Sequence, residues 1–165
     1  MSTQKSQPVS IPCLCLALRR ASRAVSRVYD EELRSIGLRT TQYSVLRLLR
    51  DTGELRQRDL GGVTVHDETT LTRNLRPLVE AGWVAVRTGE DRREKWLKIT
   101  ASGVAKLERA HPAWERAQER MRSQLPEGVW QNLMAVLPDV ARLAAEGDLF
   151  PSRNNQAHRR RKHNR

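Results

Sequence analysis

Apolar positions recur at helical spacing along most of the chain and switch to alternation in one stretch, between residues 83 and 99. Leu14, Leu18, Ala21, Val25 and Val28 repeat in steps of four and three, which predicts a helix over 13–36 with one apolar stripe. Gly37 follows as its stop, because a residue without Cβ enters the left-handed conformation that closes a helix. A second helix is predicted from Thr41, an N-cap residue, through Val45, Leu46, Leu48 and Leu49 to Arg50, with a turn at Gly53. A short third helix around Arg56 to Leu60 is closed by Gly61 and Gly62. A fourth starts at Asp67, whose carboxylate suits the free N–H groups of a first turn, and stops at Ala81–Gly82. Trp83, Val84 and Val86 then read as a strand. Trp96, Leu97 and Ile99 are its return partner across a turn at Thr88-Gly89-Glu90-Asp91. Helical spacing resumes with Val104, Leu107, Trp114, Ala117 and Met121 up to Pro126, and His111-Pro112 should kink or split that helix. The last helix uses Trp130, Leu133, Met134, Leu137, Val140 and Leu143, and Pro138 should kink or break it.

The fourth helix and the hairpin behind it carry the chemistry. At about 100° per residue, Leu71, Leu75 and Leu78 share one face. Thr69, Arg73 and Arg76 fall on the opposite face, with Thr72 at its flank, and Thr70 joins them as a candidate DNA contact. Hydroxyls and guanidinium forks in that arrangement suit phosphates and guanine edges in a major groove. Arg92 and Arg93 stand at the tip of the hairpin, where a side chain can reach a minor groove of negative potential. An amphipathic surface helix or a solvated turn is the plain reading of either element alone; their succession is the arrangement of a winged helix-turn-helix. The expected class is therefore mainly α with a small β-hairpin wing.

Charge agrees with a polyanionic partner. The 165 residues hold 30 Lys and Arg against 19 Asp and Glu, a net charge of +11. Residues 151–165 are basic without an acid and are expected to form a disordered tail, as residues 1–12 form a mobile N-terminus. No apolar run approaches the roughly 18 residues of a membrane span, and the N-terminus lacks a signal-peptide core, so a cytoplasmic protein is expected. Cys13 and Cys15 read as free thiols. Neither these cysteines nor His66, His111, His158 and His163 show metal-ligand spacing, and there is no Gly-rich phosphate loop or nucleophile elbow. No enzyme, metal or cofactor is expected.

The string Asp91-Arg92-Arg93-Glu94-Lys95-Trp96-Leu97-Lys98-Ile99-Thr100 resembles the wing of the MarR family of bacterial transcriptional regulators, whose signature is Asp-x-Arg followed by a strand ending in Leu/Ile-Thr. Thr70-Leu71-Thr72-Arg73-Asn74-Leu75 is similar to that family's recognition helix, and the resemblance covers roughly residues 13–146. It implies a homodimer built from the first and last helices (13–36 and 101–150), each subunit presenting a DNA-binding region (37–100) to half of a pseudo-palindromic operator. Arg93 matches the family's wing arginine. Pro77, Pro112 and Glu68 depart from the pattern. Independently, the apolar stripes of the first and last helices suggest a partner surface, with packing on each other inside one chain as the alternative.

Cys15 precedes Tyr29 by 14 residues, the spacing of the peroxidatic Cys and the Tyr in the family's organic-hydroperoxide-sensing branch, where the two meet across subunits. By that resemblance Cys15, with Cys13 and Tyr29, is a candidate redox sensor. Other tyrosines of that branch match Thr40 and Arg19 here. The opposing reading makes both cysteines small buried residues of a dimer interface. The expected function is a sequence-specific DNA-binding regulator, a repressor released by a small aromatic molecule or an oxidant. A nonspecific architectural protein that coats nucleic acid is the alternative, and a metal or thiol-redox carrier using Cys13 and Cys15 is a third reading.

Overall fold

The computed structural model describes residues 13–64, 68–91 and 94–145. The expected terminal segments, the cap at Asp67 and the wing arginines Arg92 and Arg93 lie outside these residues. The first helix, α1 (Leu14–Leu33), starts one residue later than expected, because Cys13 is its extended N-cap residue with φ −125° and ψ 109°. A 3-10 turn at Arg34–Ile36 follows, and Gly37 closes it with φ 70° and an N–H bonded to the Arg34 carbonyl. The second helix, α2 (Thr40–Thr52), is not capped by Thr41. The Arg39 N–H donates to Gln42 Oε1 at 2.9 Å, and the Thr40 N–H donates to Asp30 Oδ1 of α1 at 2.7 Å. One donor at this end is thus satisfied by α2's own Gln42 and one by a neighbouring helix.

Strand β1 (Leu55–Arg56) was not expected; two residues carry no alternation to read. It exists because β3 (Lys95–Ile99) offers an edge, pairing Leu55 with Leu97 and Arg56 with Trp96. The strand β2 (Val84–Thr88) pairs on the other side, giving an antiparallel sheet in the order β1-β3-β2. Helix α3 (Gln57–Thr64) runs through Gly61 and Gly62 rather than stopping before them. Each glycine costs about 1 kcal/mol of helix propensity, and the burial of Leu60 outweighs a local preference of that size. Helix α4 spans Glu68–Glu80.

Helices α5 (Ala101–Gln124) and α6 (Val129–Ala145) each continue through their prolines, so neither Pro112 nor Pro138 divides its helix. In α5 the reason is packing. Leu107 and Ala110 before Pro112, and Ala113 and Ala117 after it, are all buried, while Pro112 itself is exposed. Contacts with α1 and α2 therefore hold α5 on both sides of the missing N–H. The core lies between α2, the inner faces of α4 and the sheet, and the first half of α5, centred on Leu46, Leu49, Leu78 and Leu97. Tyr43 joins it, stacked on Trp114 and hydrogen-bonded through its hydroxyl to His111 Nδ1 at 3.0 Å.

The stripe predicted on α1 is not what α1 buries. Tyr29 and Leu33 face inward, while Leu14 and Val25 are exposed and Leu18 and Val28 half-buried. On α6, Leu133, Met134, Val136, Leu137 and Leu143 are all exposed. These two helices do not cover one another within the chain; an open cleft of about 920 Å³ separates them, with Leu16, Leu18, Leu137 and Val140 on its walls and Arg19 and Arg23 at its side. Among the described residues no helix is long and apolar enough to cross a membrane.

Candidate nucleic-acid interface

Helix α4 sits as its pattern predicts. Leu71, Leu75 and Leu78 are buried against the core. Thr72, Arg73 and Arg76 are exposed on the far side, and Thr70 is half-buried at the flank. The side chains of Thr69, Arg92 and Arg93 lie outside the described residues. The two arginines of the helix differ in readiness. Among the described residues Arg73 has no carboxylate partner, so its guanidinium is available to a phosphate or a base edge. Arg76 Nε donates to Glu80 Oε1 at 2.7 Å, one turn further on. That bond raises the Arg76 pKa and makes Glu80 a competitor of any anion Arg76 would meet.

Two polar residues outside the predicted set join this face. Gln57, the first residue of α3, donates from Nε2 to Thr72 Oγ1 at 3.2 Å. Gln57, Thr72, Arg76 and Lys95 rim a groove between α4 and the wing whose floor is Leu75, Val79 and Val86. A single Gln and a single Lys carry no periodic signal. They become informative only once β1 and β3 set them beside α4. The hairpin itself is closed by backbone bonds, Gly89 N–H to the Glu94 carbonyl and Glu94 N–H to the Asp91 carbonyl, both at 2.8 Å.

Cys13 and Cys15 are exposed in the single chain. Cys13 is the N-cap residue of α1 and Cys15 lies in its first turn. Tyr29 is buried in its own chain, and burial raises its phenol pKa above 10.0. Fourteen residues of helix put it about 21 Å along α1 from Cys15, so the two do not meet within one chain. Among the described residues no group of three or more His, Cys, Asp or Glu could hold a metal ion.

Known proteins share this arrangement. Residues 38–95 match the model of the MarR family. YwoH of Bacillus subtilis, described as an uncharacterised HTH-type transcriptional regulator, is 31% identical over 104 residues, which are 63% of this chain and 76% of the relative. The solved structure of the transcriptional regulator MosR of M. tuberculosis in complex with DNA matches at TM-score 0.71 and 32% identity, covering 80% of this chain and 96% of that one. A mutant of E. coli MarR complexed with operator DNA matches at TM-score 0.67 and 25% identity, covering 77% and 92%.

Proposed function

Because this chain belongs to the MarR family and is a DNA-binding transcriptional regulator, we propose that it is a homodimeric repressor that reads a pseudo-palindromic operator in the cytoplasm and leaves it when a small molecule or an oxidant acts. The observation that carries this reading is the two-sided character of α4, a buried leucine stripe behind an exposed Thr/Arg face. Thr69, Thr70, Thr72, Arg73 and Arg76 would meet base edges and phosphates, and Arg92 and Arg93 the adjacent minor groove. The uncovered apolar residues of α1 and α6 support a dimer, which would space two recognition helices about 34 Å apart, one turn of DNA. Release follows when an effector favours a dimer geometry with the wrong half-site spacing.

The test is a footprint on the DNA flanking the protein's own gene, repeated with peroxide and with small aromatic acids. One short protected pseudo-palindrome supports the reading. Uniform protection with only a steep salt dependence would make the protein a nonspecific architectural one. On the protected duplex, Arg93→Ala should weaken binding by about 1–3 kcal/mol at fixed salt, and unchanged affinity would remove the wing from the interface.

The redox arm of the proposal rests on Cys15. Its thiolate would attack a hydroperoxide oxygen, giving a sulfenic acid and releasing the alcohol or water. A Cys15→Ser protein should then hold its operator in peroxide concentrations that release the parent. If both dissociate alike, Cys15 is not the switch.

A further inference from the structure

The outward face of the sheet carries charges that the DNA-reading groove does not use. Leu55, Leu97 and Val86 are register partners on the face that turns toward α4, where Leu97 is buried and Val86 lines the open groove. On the alternate face, Arg56 of β1, Trp96 of β3 and Arg87 of β2 are register partners across all three strands. The guanidinium carbons of Arg56 and Arg87 each lie 4.9 Å from the Trp96 ring centroid, so one indole holds a cation from either neighbouring strand. Two acids offset the repulsion between them. Arg87 donates from Nε and Nη2 to the two carboxylate oxygens of Glu54 at 2.7 and 2.6 Å, and Arg56 Nη1 lies 3.2 Å from Glu94 Oε1. Glu54 precedes β1, so its fork ties the segment entering α3 to the far strand of the hairpin, 33 residues away. Hydrogen bonds from Arg87 hold the Glu54 carboxyl below its ordinary value of 4.5. Gly89 closes on the same ring: a Cβ there would stand 3.0 Å from Trp96 Nε1 and from Glu94.

The position of this stack matters. The β1 strand pairs only with Leu97 and Trp96, so Arg56 opposite Trp96 is the last three-stranded rung. Beyond it the wing continues as two strands, a form that is marginal in water alone. Only the Thr88–Lys95 rung and the turn lie beyond the stack, so the direction in which the tip leaves the sheet is set there. We propose that Trp96, clasped by Arg56 and Arg87 and locked by Glu54 and Glu94, is a positioning residue that sets the angle of the wing against α3 and α4, and with it the reach of the wing along the DNA flanking each half-site. This rests on the DNA-binding reading of α4 and the wing. Trp96 carries no charge, so its replacement leaves the net charge of the protein unaltered.

The test uses a duplex enriched by the wild-type protein from a random-sequence library, at full length and trimmed of the base pairs outside the segment α4 protects. Trp96→Ala should bind the full duplex about five- to tenfold more weakly and the trimmed one unchanged, with Trp96→Phe recovering part of the loss. Equal loss on both duplexes, or no loss on the full one, overturns the proposal. A measurement without DNA stands beside it. Hydrogen exchange at the Gly89 and Glu94 amides should quicken in Trp96→Ala and Glu54→Gln while the amides of α5 stay protected. Unchanged exchange at the hairpin overturns the stack as a brace. If the wild type enriches no sequence, the operator reading fails, and the exchange result alone decides the role of Trp96 in holding the wing.

Discussion

Leu137→Lys should yield a monomer that keeps its helices and binds operator about 100- to 10,000-fold more weakly, the avidity expected to vanish when two linked half-site readers come apart. Among the described residues, the large apolar side chains left exposed are Leu14 and Val25 on α1 and Leu133, Met134, Val136, Leu137 and Leu143 on α6, with only Val79 and Val86 elsewhere. Burial of a leucine contributes about 1.5–3 kcal/mol, so a surface of this kind is a strong driver of self-association. Leu137 lies on the wall of the α1–α6 cleft. Lysine is the sharper substitution than aspartate, because Arg19 and Arg23 line the same cleft and would neutralise an acid. It is also a good helix former, so the single chain tolerates it. Sedimentation equilibrium should report the 18.9 kDa of one chain, with unchanged helical circular dichroism. Val86→Lys, on an exposed part of β2, should leave the dimer mass intact. A dimeric Leu137→Lys protein would place the interface elsewhere.

The parts of the fold that were legible in the sequence are those whose partners lie close along the chain. The leucines of α4 recur at helical spacing, and 71, 75 and 78 are the ones buried. The alternation of Val84 and Val86 against Leu97 and Ile99 gave the hairpin. Even the Arg76–Glu80 pair is implicit in a spacing of four. What was not legible depends on distant residues. The β1 strand exists through β3, one first-turn donor of α2 is satisfied by the distant Asp30, and α3 passes two glycines while Leu60 is buried. The stripe on α1 was readable as apolar, but periodicity cannot say whether the neighbour that covers it is in the same chain. In the candidate site, Thr72, Arg73 and Arg76 were readable from the helical wheel. Gln57 and Lys95 were not, because only tertiary structure brings them to the same groove.

Gly103→Ala should destabilise the protein by about 1–3 kcal/mol, against the direction that helix propensity alone gives. Gly103 lies in the first turn of α5, where alanine is favoured over glycine by up to about 1 kcal/mol. The decisive fact is space. A Cβ at 103 would stand 2.2 Å from the Trp83 carbonyl oxygen and 2.8 Å from Ile99 Cγ1, and the nearer of these belongs to backbone that cannot rotate aside. Relief requires moving α5 from the sheet, and several bonds resist it. The Thr100 N–H donates to that same Trp83 oxygen at 3.0 Å, Thr100 Oγ1 donates to the Gly82 carbonyl at 2.7 Å, and the Gly103 N–H donates to Thr100 Oγ1 at 3.1 Å. The joint where the wing passes into the long helix is thus closed by contact at one glycine. At roughly 2–4 °C per kcal/mol for a chain of this size, thermal unfolding should fall by several degrees, and a urea titration should show a lower midpoint with an unchanged slope. A higher midpoint would show that α5 slides from the wing without loss. The joint would then not couple the helices proposed to pair two chains to the hairpin proposed to contact DNA. A lower midpoint, accompanied by weaker binding to flanked but not trimmed duplex, would mark Gly103 and Trp96 as two ends of one rigid connection, the first fixing the wing to α5 and the second fixing it to the reading helices.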